Sequence, residues 1–334
     1  MAPTIRSAQV DDLDQVADLL MADAECRNAL DPQLWRLDQA AREKIRTSVS
    51  AAMDNPSSSF RQKWLVAEWS GRLVGVAHSI LLPVPPIYAG DFGPPGLIME
   101  DCFVAPDSPF SIRHDLLKAA EDDLTEAGAR ILLASSVEGG EFEQEYVKLG
   151  YVPLTRYFAK TGLTNRRKFP QVRDATRDDV SGIVAASAIH RRVLHEIHHL
   201  FWKPHKDADS RFNAWMNRSL TLEDRDLFVS DNEGQVRGYA ISHPATPLHF
   251  PTPHDISGVG VIDDFFHHVI ENTQILGSSA QDAVDLFEAA EAARARRGDH
   301  SILVVCPAAW ESKIGLLERM GYKGAITWHI KIRN

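Results

Sequence analysis

The sequence predicts two successive α/β domains, each a mixed, mostly antiparallel twisted sheet flanked by helices. Three observations carry this. Short apolar runs with strand spacing alternate with amphipathic stretches of helical period along the whole chain. Four sequence blocks occur twice, in the same order. The length of 334 residues, with 44% hydrophobic and 25% charged residues, suits two ordinary globular domains with their own cores.

The first block is TIRSAQVDDLDQVADLL (4–20), matched by QVRDATRDDVSGIVAAS (171–187). Arg6 meets Arg173, Ala8 meets Ala175, and Asp11-Asp12 meet Asp178-Asp179. Each copy reads as a short strand, an aspartate-capped turn and an amphipathic helix. The second block is WLVAEWSGRLVGVA (64–77), matched by LFVSDNEGQVRGYA (227–240). Both read as hairpins that turn at Gly71 or Gly234. The third pairs IMEDCFV (98–104) with VIDDFFH (261–267), strands that carry the acidic pairs Glu100-Asp101 and Asp263-Asp264. The fourth pairs ILLASS (131–136) with ILVVCP (302–307), and YVKLGY (146–151) with LERMGY (317–322). Each copy ends in an aromatic-rich strand, and each reads β–α–β–β–β–α–β–α–β. Residues 1–163 and 171–334 are the expected domains, and TNRRKFP (164–170) is the expected linker.

A net charge of -10 argues against a nucleic-acid binder, which presents a basic face, and gives no reason to expect an anionic membrane as partner. Cys26, Cys102 and Cys306 form neither a disulfide framework nor a zinc knuckle, so a reducing, cytoplasmic compartment is expected. The N-terminus lacks an apolar signal region, and no apolar run is long enough to span a bilayer.

The order of these elements resembles the GCN5-related N-acetyltransferase (GNAT) superfamily over nearly all of both halves. The resemblance rests on Leu73-Val74-Gly75, on Asp101 through Pro106 and on Tyr146 through Tyr151. In the second half it rests on Val236 through Tyr239 and on Glu318 through Tyr322. It implies two tandem GNAT-like domains and an acyl-CoA co-substrate, most simply acetyl-CoA. Its pantetheine arm would pair with the fourth-strand backbone, at Phe103-Val104 or Phe266-His267. Its pyrophosphate would sit at the next helix N-terminus, where free N–H groups and the helix dipole favour anions. The glycine loop that the family uses there is missing after Val104, where Pro109, Ile112 and His114 stand in its places. There an N-cap at Ser108 with Pro109 at N1 is a sufficient structural reading. Gln274-Ile-Leu-Gly277-Ser278-Ser279 matches the loop better, with Ser279 opening a capping box, so the second half is the expected acyl-CoA half.

Acyl transfer to an amine needs a base for the ammonium and an acid for the leaving thiolate. Glu100 and Asp101, or Asp263 and Asp264, are the candidate bases. Because strands alternate, one of each pair is expected to face the cleft. The resemblance makes Tyr146 the candidate acid, since it precedes Gly150 by four residues; its other reading is a core tyrosine. Leu317 takes that place in the second half. A segment at 195–226 reads as an insertion whose Phe201, Trp202 and Trp215 line an acceptor pocket or pack one half on the other. The acceptor is expected to be a small-molecule amine, and both a monomer and a homodimer stay open. Two alternatives accompany this reading. One is an acyl-CoA or metabolite-binding protein without turnover. The other is a zinc hydrolase through His195-Glu196-x-x-His199, although no third ligand is identifiable and no metal is expected.

Overall fold

The computed structural model describes residues 3–54, 61–164, 169–277 and 280–333. The first half runs β1 (Thr4–Ser7), α1 (Leu13–Leu30), α2 (Ala41–Asp54), β2 (Gln62–Trp69), β3 (Arg72–Leu81), β4 (Gly96–Ile98), β5 (Phe103–Val104), α3 (Ser111–Glu126), β6 (Ile131–Val137), α4 (Glu141–Lys148) and β7 (Val152–Thr161). The second runs β8 (Val172–Asp174), α5 (Val180–Ile197), α6 (Ala208–Ser219), β9 (Asp226–Asn232), β10 (Gln235–Pro244), β11 (Val259–His267), α7 (Ala280–Arg296), β12 (Ser301–Pro307), α8 (Glu311–Arg319) and β13 (Lys323–Ile332).

The duplication is visible in side-chain detail. Arg6 donates to Asp12 and Glu68, and Arg173 donates to Asp179 and Asp231. Asp12 and Asp179 each accept from a backbone N–H three residues earlier, closing matched capping boxes ahead of α1 and α5. Both hairpins turn through two residues of positive φ, Ser70-Gly71 (53° and 78°) and Glu233-Gly234 (52° and 81°). That is the twist-matched two-residue turn, and glycine fits its second place without a Cβ penalty.

Two expectations change. α2 stands in the first half where α6 stands in the second, so 195–226 is not an addition peculiar to one copy. α3 starts at Ser111 with Phe110 at its N-cap, not at Ser108, because residues 105–110 form a separate hydrogen-bonded turn. The expected linker lies partly at 165–168, outside the described residues.

The halves are not separate in space. One sheet contains every strand, in the order β1-β2-β3-β4-β6-β13-β7-β12-β11-β10-β9-β8, with β5 beside β3. Each half sends its last strand across: β13 pairs with β6, β7 pairs with β12, and the two travellers pair with each other at the centre. β4–β6 and β11–β12 are the parallel pairs. The largest core cluster mixes Leu97, Leu133 and Phe158 from the first half with Phe265, Phe287 and Leu317 from the second.

Two outcomes follow. A fragment of residues 1–163 leaves the β6 edge bare and β7 without its partners, so it should aggregate or dimerise by exchange. Size-exclusion chromatography showing a folded monomer would contradict this. Asp179→Ala should cost about 1 kcal/mol in urea denaturation at neutral pH, as for other lost caps. The hydrogen bond from Arg173 holds the Asp179 carboxyl down at about 2, so its stabilisation is present above about pH 4 and fades toward pH 2. The gap between wild type and variant should close over that window.

Candidate functional site

Two β-bulges shape the acidic pairs. Along β11 the partners step from Ile241↔Asp264 to Ser242↔Ile262, which leaves Asp263 as the extra residue. The bulge breaks the alternation of side chains, so Asp263 and Asp264 line the same cavity instead of opposite faces. In the first half, 99–102 bulge between the Ser79↔Ile98 and Val76↔Phe103 pairs, and Glu100 and Asp101 are both buried.

Each bulge opens on a cleft roofed by the other half. The second-half cavity has a volume of about 490 Å³, and Pro85 through Tyr88 of the first half form one wall. That wall is fixed by Ala89 N–H to Lys203 O (2.8 Å), His205 N–H to Ile87 O (2.9 Å) and Arg211 Nη1 to Pro86 O (2.7 Å). The first-half cavity has about 370 Å³, and Pro247, Leu248, Pro251 and Thr252 of the second half wall it. Bonds from Asp38 N–H to Pro253 O and from Asp255 N–H to Arg36 O hold this reciprocal cover.

In the second-half cavity Asp264 Oδ1 accepts from Tyr239 Oη at 2.7 Å and lies 3.1 Å from His190 Nδ1. Burial works against the Asp264 carboxylate, but His190, Tyr239 and the nearby Lys313 charge outweigh it and hold its pKa below the ordinary range. Burial lowers His190 despite Asp264. In the first-half cavity the Asp101 carboxylate meets His78 Nδ1 at 3.0 and 3.1 Å. Beside it, burial pushes Glu100 up to about 7, with Asp101 adding and Arg27 opposing. Burial pushes Asp23 to about 7 too.

The wedges where the parallel strands part differ between halves. β4 and β6 separate after Ile98 and Ala134, and β11 and β12 after Ile262 and Val304. At the first wedge Ser136 Oγ and Tyr146 Oη are buried without a hydrogen-bond partner among the described residues, and the buried Glu100 carboxyl lies beside the Ser135 hydroxyl. Tyr146 is fully buried, which holds its hydroxyl protonated, and Cys102, Glu100 and Asp101 lie near enough to add to that. At the second wedge α8 laces the gap shut. Lys313 Nζ donates to Phe265 O at 3.2 Å, Trp310 Nε1 to Ile270 O at 2.8 Å, and Ser312 N–H to Thr273 O at 2.9 Å. Lys313 was not singled out by sequence reading. Its one signal is position, a turn before Leu317 on the same helix face.

No protein-family profile matches the chain, and no curated protein matches it. Solved structures do. A GCN5-related N-acetyltransferase from Sphaerobacter thermophilus aligns with a TM-score of 0.55 at 14% identity, over 99% of this chain and 95% of that one. The glucosamine N-acetyltransferase region of a fungal multi-domain GH3 β-N-acetylglucosaminidase aligns with a TM-score of 0.54 at 15% identity, over 99% of this chain and 38% of that one. The chain has the GCN5-related N-acetyltransferase fold. At such identity the likeness settles the fold, and the chemistry has to be argued from the site.

Within this GNAT fold the residues fit acyl-CoA unequally. The first wedge carries Tyr146, Glu100 and the β5 residues Phe103 and Val104, with orphaned polar atoms that await partners. At the second wedge most of the described polar groups are already engaged, with His267 Nε2 left buried and unpartnered among the described residues. Phe266 is buried against His190, and His267 Nδ1 accepts from Val269 N–H. Gly277 N–H is spent on Val269 O, and the N–H groups of Gln274 and Ile275 on Asn272 Oδ1, so three amides of the expected phosphate loop are already satisfied. Ser278 and Ser279 lie outside the described residues.

Trp215 lines the second-half cavity. Phe201 and Trp202 do not: both pack on the main core and on the ring of His198. The zinc motif does not form either. His195 lies in the last turn of α5, but the helix ends at Ile197 with His198 extended at its C-cap, so His199 leaves the shared face. Among the described residues no three His, Cys, Asp or Glu side chains cluster as metal ligands.

The closed wedges predict thiol reactivity. Cys26 is exposed, whereas Cys102 and Cys306 are buried, with burial pushing Cys306 up to about 12. A disulfide reagent should titrate Cys26 rapidly in the native protein and the other two only in urea. Fast reaction of Cys102 would show that the first wedge opens to solvent.

Proposed function

We propose that the protein is an acyl-CoA-dependent N-acyltransferase, with acetyl as the simplest donor group and a small amine as acceptor. Transfer is assigned to the first half. The observation that carries this is the buried polar cluster of Glu100, Ser135, Ser136 and Tyr146 at the first wedge, in which Tyr146 Oη and Ser136 Oγ have no hydrogen-bond partner among the described residues. Such groups are costly unless something pairs with them in the working state. The laced second wedge supports the same choice.

When bound, acyl-CoA supplies an activated thioester. The chain's own groups handle the protons. Glu100, held near neutrality by burial, takes the proton from the acceptor ammonium, and its pKa suits a base working at neutral pH. Tyr146 Oη, kept protonated, is the proton donor for the departing sulfur. Asp101 and His78 line the acceptor cavity and orient the amine, while the 247–252 loop excludes water. At the phosphate end the first half offers the first turn of α3 in place of a glycine loop, with the Arg113 guanidinium there already ion-paired with Glu141. The free thiols fit a reducing, cytoplasmic setting, and the internal pairing of halves fits a monomer.

Binding without turnover is the second reading. It is favoured by the absence of a phosphate-binding glycine loop, since Pro109 has no N–H and the Gly277 N–H is occupied.

Thiol release from acetyl-CoA, followed over a panel of primary amines, decides between them. Glu100→Gln should lower kcat/KM by about 100-fold or more and Tyr146→Phe by about 10-fold or more. The wild-type rate should climb with pH through about 7 as Glu100 loses its proton, and that limb should vanish in Glu100→Gln. Ligand-induced stabilisation without thiol release from any acyl-CoA would establish the binding reading instead.

A further inference from the structure

We propose that the second-half cavity is a ligand site in its own right, built for a small zwitterion, an α-amino acid with a large apolar side chain. The inference rests on the reading that transfer belongs to the first half, and goes beyond it by giving the second cavity an occupant.

The cavity pairs opposite charges across apolar walls. On one side stands Asp264, its side chain about 24% exposed, oriented by Tyr239 Oη and His190. A carboxylate held in this way, open on one side, suits a primary ammonium. Guanidinium groups line the same cavity. Arg191 is consumed by Ser187 and Asp209. Arg211 is not consumed: its one bond runs to Pro86 O, and it has no carboxylate partner among the described residues. Arg225 lies against the Trp215 ring, 5.0 Å from its centroid, with the adjacent Asp224 as its one ionic partner among the described residues. An arginine with donors to spare on the lining of a cavity recognises a carboxylate. Between these poles Leu194, Phe212, Trp215, Ile241 and Tyr88 supply the apolar surface for a bulky side chain.

The same cavity lacks a donor route. Lys313 and Trp310 bridge the wedge beside it, and the Gln274, Ile275 and Gly277 amides before α7 are spent internally. An amine bound at Asp264 is therefore held and not acylated.

The test uses the full chain and three probes that differ by one group each: L-phenylalanine, 2-phenylethylamine and 3-phenylpropanoate. Binding is measured by calorimetry. L-phenylalanine should bind at least about 10-fold more tightly than either truncated probe, since each loses a charged hydrogen bond. Arg211→Gln, which keeps a side-chain donor for Pro86 O but loses the charge, and Asp264→Asn should each weaken L-phenylalanine about 10-fold or more. Glu100→Gln should bind it as the wild type does. The proposal is overturned if L-phenylalanine does not bind, if either truncated probe matches it, or if Glu100→Gln abolishes binding, which would move the ligand to the first cleft. Thiol release measured on Arg211→Gln separates the two readings: unchanged release with lost L-phenylalanine binding supports both, while release lost together with binding places transfer in the second cavity and overturns the proposal.

Discussion

The pairing of β7 with β13 at the centre of the sheet is the contact on which the rest of the molecule depends. Each of these strands closes the sheet of the other half, so neither half has a complete sheet alone. Backbone hydrogen bonding leaves little freedom there, because a slipped register would turn every core side chain to the wrong face. The single core that crosses the midline follows from this exchange, as does the position of one cleft relative to the other.

From that fixed relation comes the reciprocal roofing of the clefts. The β3–β4 loop of the first half reaches the second-half cavity, and the β10–β11 loop returns the arrangement. Leu82 and Pro83 wall the first cavity, while Pro85 through Tyr88, only a few residues along the same loop, wall the second. A bound molecule in either cavity therefore touches a segment that also shapes the other. Such a loop is a physical element through which two sites can bias each other, given two arrangements of it.

The halves share a backbone and differ in chemistry. Arg6–Asp12 and Arg173–Asp179 are preserved because they cap a helix and tie it to the neighbouring strand. The wedges have diverged. The unpartnered Tyr146 hydroxyl and the buried Glu100 lie at one, and Leu317, Lys313 and Trp310 fill the other.

Much was legible in the linear chain. The duplicated blocks, the capping aspartates, the Gly71 and Gly234 turns and the acidic pairs are local features, set by backbone geometry and spacing over a few residues. They determined the fold class and marked the acidic pairs as candidates. Sequence alone could not tell that Asp263 sits in a bulge, that β7 and β13 trade places, that Gly277 N–H is occupied, or that Trp202 packs in the core while Trp215 reaches the cavity. Nor could it weigh Glu100 against Asp264, since burial raises one carboxyl and hydrogen bonds lower the other. Those outcomes depend on which distant groups meet in three dimensions. Local pattern dictated the elements, and only tertiary packing decided which polar groups found partners and which remained free to act.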